Sequence, residues 1–298
     1  KAMAVGGDIR RTHLSLQEYF QRLGTNPENW GNVFQALLGA LQAQADFEVP
    51  AIGGKDSMSG SFLDLHVPPT LLAFALTIGD IDHLVSPEFK APEHRVYLFQ
   101  PSLNGFGLPD STEIKRVYQK ILDLIQKKRI QALAAIKAGG WVEAVAKMSY
   151  GNWIGCRIEA TAPFDCWDKP FYGGLVIESD TSLNDRDFQS IGLTTEIPTL
   201  QFPSFEVSLS GLLQSSLETF SELFPCSEKV ESQNLEISLS SVNWIRPGSA
   251  SYRPKVFIPA FPGTNCELDS EAAFRLAGAD PVISVFRNQT KEAIQSSI

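Results

Sequence analysis

Residues 255–286 read as strand, turn, helix and strand in unbroken succession, and no other feature constrains the fold as tightly. Lys255–Ala260 is a short apolar run, FPGTN turns the chain, Cys266–Ala277 is helical up to Gly278, and Pro281–Phe286 is apolar again. Two strands joined through a helix lie parallel, because the crossover brings the chain back to the same end of the sheet. The segment is therefore expected to be a βαβ unit of an open α/β sheet. Such a sheet needs more strands than two, and Ile298 falls just inside the next helix. The unit is expected to be truncated and the chain to be a piece of something longer.

Upstream, helical and extended signals alternate. Ser15-Leu-Gln-Glu18 has the form of a capping box ahead of Leu16, Tyr19, Phe20 and Leu23, with Gly24 as a stop. A second helix is expected from about Trp30 to Ala45, with Val33, Leu37, Leu38 and Leu41 as a core-facing stripe. Thr70–Ile78 reads as a strand buried on both faces, and the polar stretch Gly79–His94 as a subdomain boundary. Arg95–Gln100 restarts as a strand, and Asp110-Ser-Thr-Glu113 caps a helix carrying Ile114, Val117, Ile121 and Leu124. Ile130–Ile136 fits a helix or a strand. Gly139-Gly140 opens another helix, strands are expected at Ile154–Glu159 and Leu175–Ser179, and a helix around Leu212–Phe224. The Ser-rich stretch Ser232–Pro254 reads as an interdomain linker.

Composition excludes several classes. At 298 residues the chain is long enough for two domains, and its net charge of −9 argues against a nucleic-acid surface, which needs a basic patch. Cys156, Cys166, Cys226 and Cys266 show no CxxC spacing, so neither a zinc site nor a disulfide framework is expected; they read as free thiols of a cytoplasmic protein. The opening KAMAVGGDIRRTH has no apolar core of a signal peptide, and the run Leu71–Ile78 is too short to span a bilayer.

The chemistry-bearing stretch is PAIGGKDSMSGSF at 50–62. Gly53 and Gly54 let a bulky anion approach the backbone. Lys55 neutralises a phosphate, Asp56 offers a hard oxygen to Mg²⁺, and Ser57 and Ser59 hydrogen-bond either. It is not a Walker A loop: Val49 stands where that motif has its first glycine, and Asp56 follows the lysine. A polar turn with Lys55 and Asp56 merely solvated fits the same residues. Asp8, Arg10 and Arg11, beside Gly6-Gly7, fit either a phosphate contact or a salt-bridged strand end.

Four segments in order, PAIGGKDSMSG (50–60), AGGWVEAVAKMSYGN (138–152), RPGSASYRPK (246–255) and FPGTNCELDSEAAFRLAGA (261–279), resemble formylglycinamide ribonucleotide amidotransferase, or phosphoribosylformylglycinamidine synthase, in its large single-chain form. The first resembles a GKDSMSM-type nucleotide loop and the second a GGVAEAVAKMSFGN-type helix opening. The last resembles the start of the fused class I glutamine amidotransferase domain. The resemblance implies an α/β fold. Residues 1–90 would end the second N-terminal-like subdomain of the aminoimidazole ribonucleotide synthetase superfamily. Residues 93–245 would be its C-terminal-like partner, 246–254 a linker, and 255–298 the truncated Rossmann-like opening of the glutaminase.

The implied activity is ATP- and glutamine-dependent conversion of formylglycinamide ribonucleotide to its amidine in purine biosynthesis. ATP activates the amide oxygen, and ammonia released from glutamine displaces the phosphate. By the same resemblance Asp56 is a Mg²⁺ ligand, and Gly53, Gly54, Lys55, Ser57 and, less directly, Ser59 hold the phosphates of ATP or ADP. The pocket resembles the auxiliary one of the duplicated synthetase, where nucleotide is held without turnover. The partners implied are the other synthetase half and the glutaminase domain of the same polypeptide, with no nucleic acid and no membrane.

The glutaminase Cys, His and Glu are expected beyond the chain, so Cys266 reads as structural and the piece alone as inactive. Where superfamily members carry His-Asp before the glycines, this chain has Ile136-Lys137, and Glu143 reads as a helix-surface carboxylate. Two other readings stay open. One is a non-catalytic nucleotide-binding scaffold that positions the glutaminase. The other is a different ATP-dependent enzyme of the superfamily, selenophosphate-synthetase-like or thiamin-phosphate-kinase-like, against which the FPGTN segment counts.

Overall fold

The computed structural model describes residues 1–224 and 253–297 and divides the chain into two compact units, 1–228 and 229–298. The predicted linker at 246–254 lies outside the described residues apart from Arg253 and Pro254, as does Cys226.

The first unit opens on a three-stranded sheet. Strand β1 (Thr12–Tyr19) is followed by helix α1 (Pro27–Phe47) and strand β2 (Ala51–Lys55), which runs parallel to β1. A small hairpin, β3 (Ser61–Phe62) with β4 (Leu65–His66), leads to β5 (Thr70–Thr77), antiparallel to β1 over its whole length. The capping-box reading of Ser15–Glu18 is thus overturned: these residues lie inside β1. Thr12, Leu14, Leu16 and Glu18 are more buried than His13 and Ser15, a period of two, and pairing with β5 outweighs the local helix signature.

Helix α1 starts where Asn26 accepts a hydrogen bond from the Glu28 amide at 3.1 Å, with Pro27 in the first turn. Its expected core stripe is mostly uncovered. Val33 is buried against Phe20 and Leu23, but Leu37, Leu38 and Leu41 are exposed. Strand β5 is likewise exposed through its middle instead of buried on both faces, because it is an edge strand with no layer over Leu72, Phe74 and Leu76.

Seven strands form the second sheet, in the order β12-β11-β8-β10-β6-β9-β7. They are β6 (Arg95–Phe99), β7 (Ala132–Ala135), β8 (Gly155–Ile158), β9 (Leu175–Ser179), β10 (Gln189–Thr195), β11 (Thr199–Gln201) and β12 (Glu206–Ser208). Within 130–136 the strand alternative therefore holds, over Ala132–Ala135. Alternation along β6 and β9 feeds two cores. Val96, Leu98 and Val176 face helix α3 (Gly140–Tyr150) through Trp141, Val145 and Met148. Tyr97, Phe99, Leu175 and Ile177 face helix α2 (Ser111–Gln126) through Ile114, Val117, Ile121 and Ile125. Burying each of these side chains stabilises by roughly 1.5–3 kcal/mol, so this sheet, covered on both faces, is the rigid part of the unit. Helix α4 (Leu209–Glu218) follows β12, starting three residues before the expected position.

The second unit matches the reading of its sequence. Strands β13 (Lys255–Ala260) and β14 (Asp280–Val285) pair in parallel through helix α5 (Glu267–Leu276), and helix α6 spans Lys291–Ser297.

Candidate functional site

The glycines of the PAIGGKDSMSG segment do not form a turn. Gly53 and Gly54 lie within β2, paired to Ser15 and Leu16, and a Cβ on Gly54 would stand 2.3 Å from the Leu16 carbonyl oxygen. Glycine is needed there for close strand approach, not for bending. Pairing continues beyond the strand: the Ser57 amide donates to Glu18 O at 3.0 Å, Phe20 N donates to Ser57 O at 2.8 Å, and Gly60 N donates to Phe20 O at 3.0 Å. Residues 56–60 are thus held against the end of β1, and Met58 packs on the small Phe20–Leu23–Val33 core.

Several donors are left over. Lys55 Nζ reaches only its neighbour's carbonyl, Asp56 O, at 3.1 Å, and makes no ion pair with any described carboxylate. Neither the Ser57 and Ser59 hydroxyls nor the Met58 and Ser59 amides bond a described residue. An unpaired ammonium, two hydroxyls and two amides suit phosphate oxygens, and the exposed Asp56 carboxylate suits a hard cation. Strand alternation, however, sends Lys55 and Asp56 to opposite faces at the end of β2. The loop lies on open surface, and neither of two cavities, of about 880 and 260 Å³, includes it.

Glu18 is the residue that local reading misassigned. Its side chain is 6% exposed, and it lies next to Asp56 along the β1–β2 pairing. Burial pushes its carboxyl up from the ordinary carboxylate range, and the negative charge of Asp56 adds to that. The signal was present in the register, not in the neighbouring residues.

Other candidates settle into structural roles. Asp8 pairs with Arg10, Nη2 to Oδ2 at 2.7 Å, which holds the Asp8 carboxyl below its usual range. Glu143 pairs with Lys147 one helical turn on and accepts from the Gly139 amide at 3.2 Å, so its carboxyl is also lowered. Cys266 is exposed at the start of α5 with φ 65°, while Cys156 and Cys166 are buried; all three are free thiols. No three His, Cys, Asp or Glu side chains cluster as a metal site among the described residues, and none of their helices is long and apolar enough to cross a membrane.

No family model matches the chain. It is 25% identical to the phosphoribosylformylglycinamidine synthase subunit PurL of Pyrobaculum neutrophilum, over 47% of this chain and 22% of that protein. With the PurL subunit of Lacticaseibacillus paracasei it shares 22% identity over 68% of this chain and 31% of the relative. The chain thus spans a third or less of these relatives. Among solved structures, Thermotoga maritima PurL complexed with ATP superimposes with a TM-score of 0.53 at 13% identity, over 70% of this chain and 38% of that one. The chain is similar in sequence to PurL, the phosphoribosylformylglycinamidine synthase subunit, and it has the mixed α/β fold of a solved PurL.

Proposed function

We propose that this chain is a piece of an ATP-dependent carbon–nitrogen ligase, the enzyme that converts formylglycinamide ribonucleotide to formylglycinamidine ribonucleotide with glutamine as nitrogen source. One observation carries this reading: about two thirds of the chain is similar to PurL in sequence and, separately, in fold. Residues 1–90 and 93–245 are the two synthetase subdomains, and the parallel β13–α5–β14 unit opens the glutamine-handling domain.

In this reading the 53–59 segment holds ATP or ADP. Lys55 and the hydroxyls of Ser57 and Ser59 neutralise and bond phosphate oxygens. Gly53 and Gly54 keep side chains off the approach, and Asp56 holds Mg²⁺. When bound, the cation draws off phosphate charge. The leftover donors and the exposed carboxylate fit that group; the divergence of Lys55 and Asp56 means that the phosphates straddle the end of β2. An open loop that holds nucleotide without turning it over favours the auxiliary, structural role.

The test is calorimetric titration of the whole chain with ADP in Mg²⁺ buffer. Saturable binding, lost in Asp56→Ala and Lys55→Ala variants of unchanged circular dichroism, is the expected result. Heat-silent wild-type protein, or variants that bind equally well, would remove the nucleotide reading. In the full-length enzyme, Asp56→Ala that keeps turnover while lowering stability marks the structural role.

A further inference from the structure

The larger cavity, about 880 Å³, lies within the first unit and shares no residue with the 53–59 segment. Its volume falls in the range of about 300–1,000 Å³ that small-molecule sites occupy. Trp141, Ala144, Val145 and Met148 of α3 are buried in the core against the sheet. Another face of the helix, Val142, Ala146 and Tyr150 at four-residue spacing, lines the cavity instead, with Glu143 and Lys147 beside them. Ala146, the smallest side chain of that row, stands at its centre.

Much of the remaining wall is aromatic. The Phe164 ring lies 6.1 Å from Trp141 and 6.3 Å from Phe202, and Phe202 stacks on Phe205 at 4.6 Å. Phe164, Phe202 and Phe205 line the cavity together with Trp167. Trp167 and Phe205 are 48% and 58% exposed, large rings that no described residue covers fully. Such faces take flat aromatic groups in offset-stacked or edge-on contact. The polar groups select one charge. Glu143 is satisfied, its Oε1 accepting from Lys147 and its Oε2 from the Gly139 amide at 3.2 Å. Lys147 has no other partner, so ammonium hydrogens are left over, and the Tyr150 hydroxyl bonds no described residue. The charge of Lys137 also reaches Glu143, which sets two cations against one carboxylate at this end.

We propose that this cavity is a binding site for a small, flat aromatic anion, a carboxylate carried on one or two fused rings. The rings lie against Phe202 and Phe205, and the carboxylate accepts from Lys147 and Tyr150. A charge-assisted hydrogen bond to the ammonium fixes the polar end, while the aromatic wall supplies the apolar contact. The site is separate from the proposed nucleotide segment, and neither reading depends on the other.

Ligand-observed NMR titration of the whole chain with 2-naphthoate tests the site, with 2-naphthalenemethanol as the uncharged counterpart. The expected result is saturable naphthoate binding with a dissociation constant of about 1 mM or tighter, the reach of a fragment of this size. Ser216→Trp, which places a ring in the cavity from an exposed position on α4, should weaken it at least about tenfold by removing the space. Lys147→Met should weaken naphthoate at least about fivefold, as the loss of a charged hydrogen bond does, and leave the alcohol unchanged. Leu38→Ser, on the exposed apolar face of α1, should bind as wild type. No saturable binding, wild-type affinity in Ser216→Trp, or equal weakening by Leu38→Ser would each overturn the proposal. Equal affinity for naphthoate and the alcohol would overturn the assignment to anions. If Ser216→Trp does not fold, Phe205→Ala, which removes an exposed ring of the stack, takes its place, and unchanged affinity there overturns the proposal.

Discussion

At the residue scale, the contrast between paired and unpaired carboxylates organises the chemistry of the chain. Asp187 accepts from Arg116 through both oxygens, at 2.6 and 2.8 Å, and also from Lys120. These cations, the Arg116 guanidinium first, hold its carboxyl well below the usual carboxylate range. A depressed folded value means that the contribution to stability is present above the unfolded value of 3.8 and is lost as pH falls below it. Asp187→Asn is therefore expected to cost about 1–3 kcal/mol at neutral pH, the worth of hydrogen bonds to charged groups. The exposed share of both cations places the cost toward the lower end of that range. Urea denaturation of both proteins between about pH 5 and pH 2 checks the sign: the gap should close as the wild type is protonated. A gap independent of pH would mean that packing, not charge, holds this corner.

At the scale of elements, helix ends and strand partners were not equally legible. Asp110 was readable as a cap, and it accepts from the Thr112 and Glu113 amides at 2.9 and 3.0 Å. Asp110→Ala should lower stability by about 1 kcal/mol, read as a lower thermal midpoint with the helix still formed. Ser15–Glu18 carries the same kind of signature yet lies in a strand, because the partner that decides the matter, β5, is more than fifty residues downstream. Strands β10, β11 and β12 carry no local signal: QSIGLTT and TLQ are half polar, and only pairing defines them, β10 between β6 and β8, β11 between β8 and β12. The site divides in the same way. Lys55, Asp56 and the serines were legible as residue types, whereas their separation onto two faces, and the place of Glu18 beside Asp56, come from a parallel register that no window of neighbours contains.

At the scale of the molecule, the two units carry unequal cores. The first holds two extensive buried clusters on either side of the seven-stranded sheet. The described part of the second has a two-stranded sheet with Ala260, Ala279 and Pro281 as its buried apolar residues, less than independent stability requires. A chain ending at Glu228 is accordingly expected to keep the thermal midpoint of the first unit unchanged, by near-ultraviolet circular dichroism. A large fall would show that the remaining residues hold it up. The seven-stranded sheet also sets a timetable for synthesis. His94, at the entrance to β6, is latched by Glu178 across 84 residues of sequence, and β10, on the other side of β6, follows later still. At roughly 5–20 residues per second, a ribosome leaves β6 without either neighbour for several seconds. During that interval a strand whose Val96, Tyr97, Leu98 and Phe99 are all buried in the folded sheet is an open edge, and chaperone capture on nascent chains should peak before β9 has emerged.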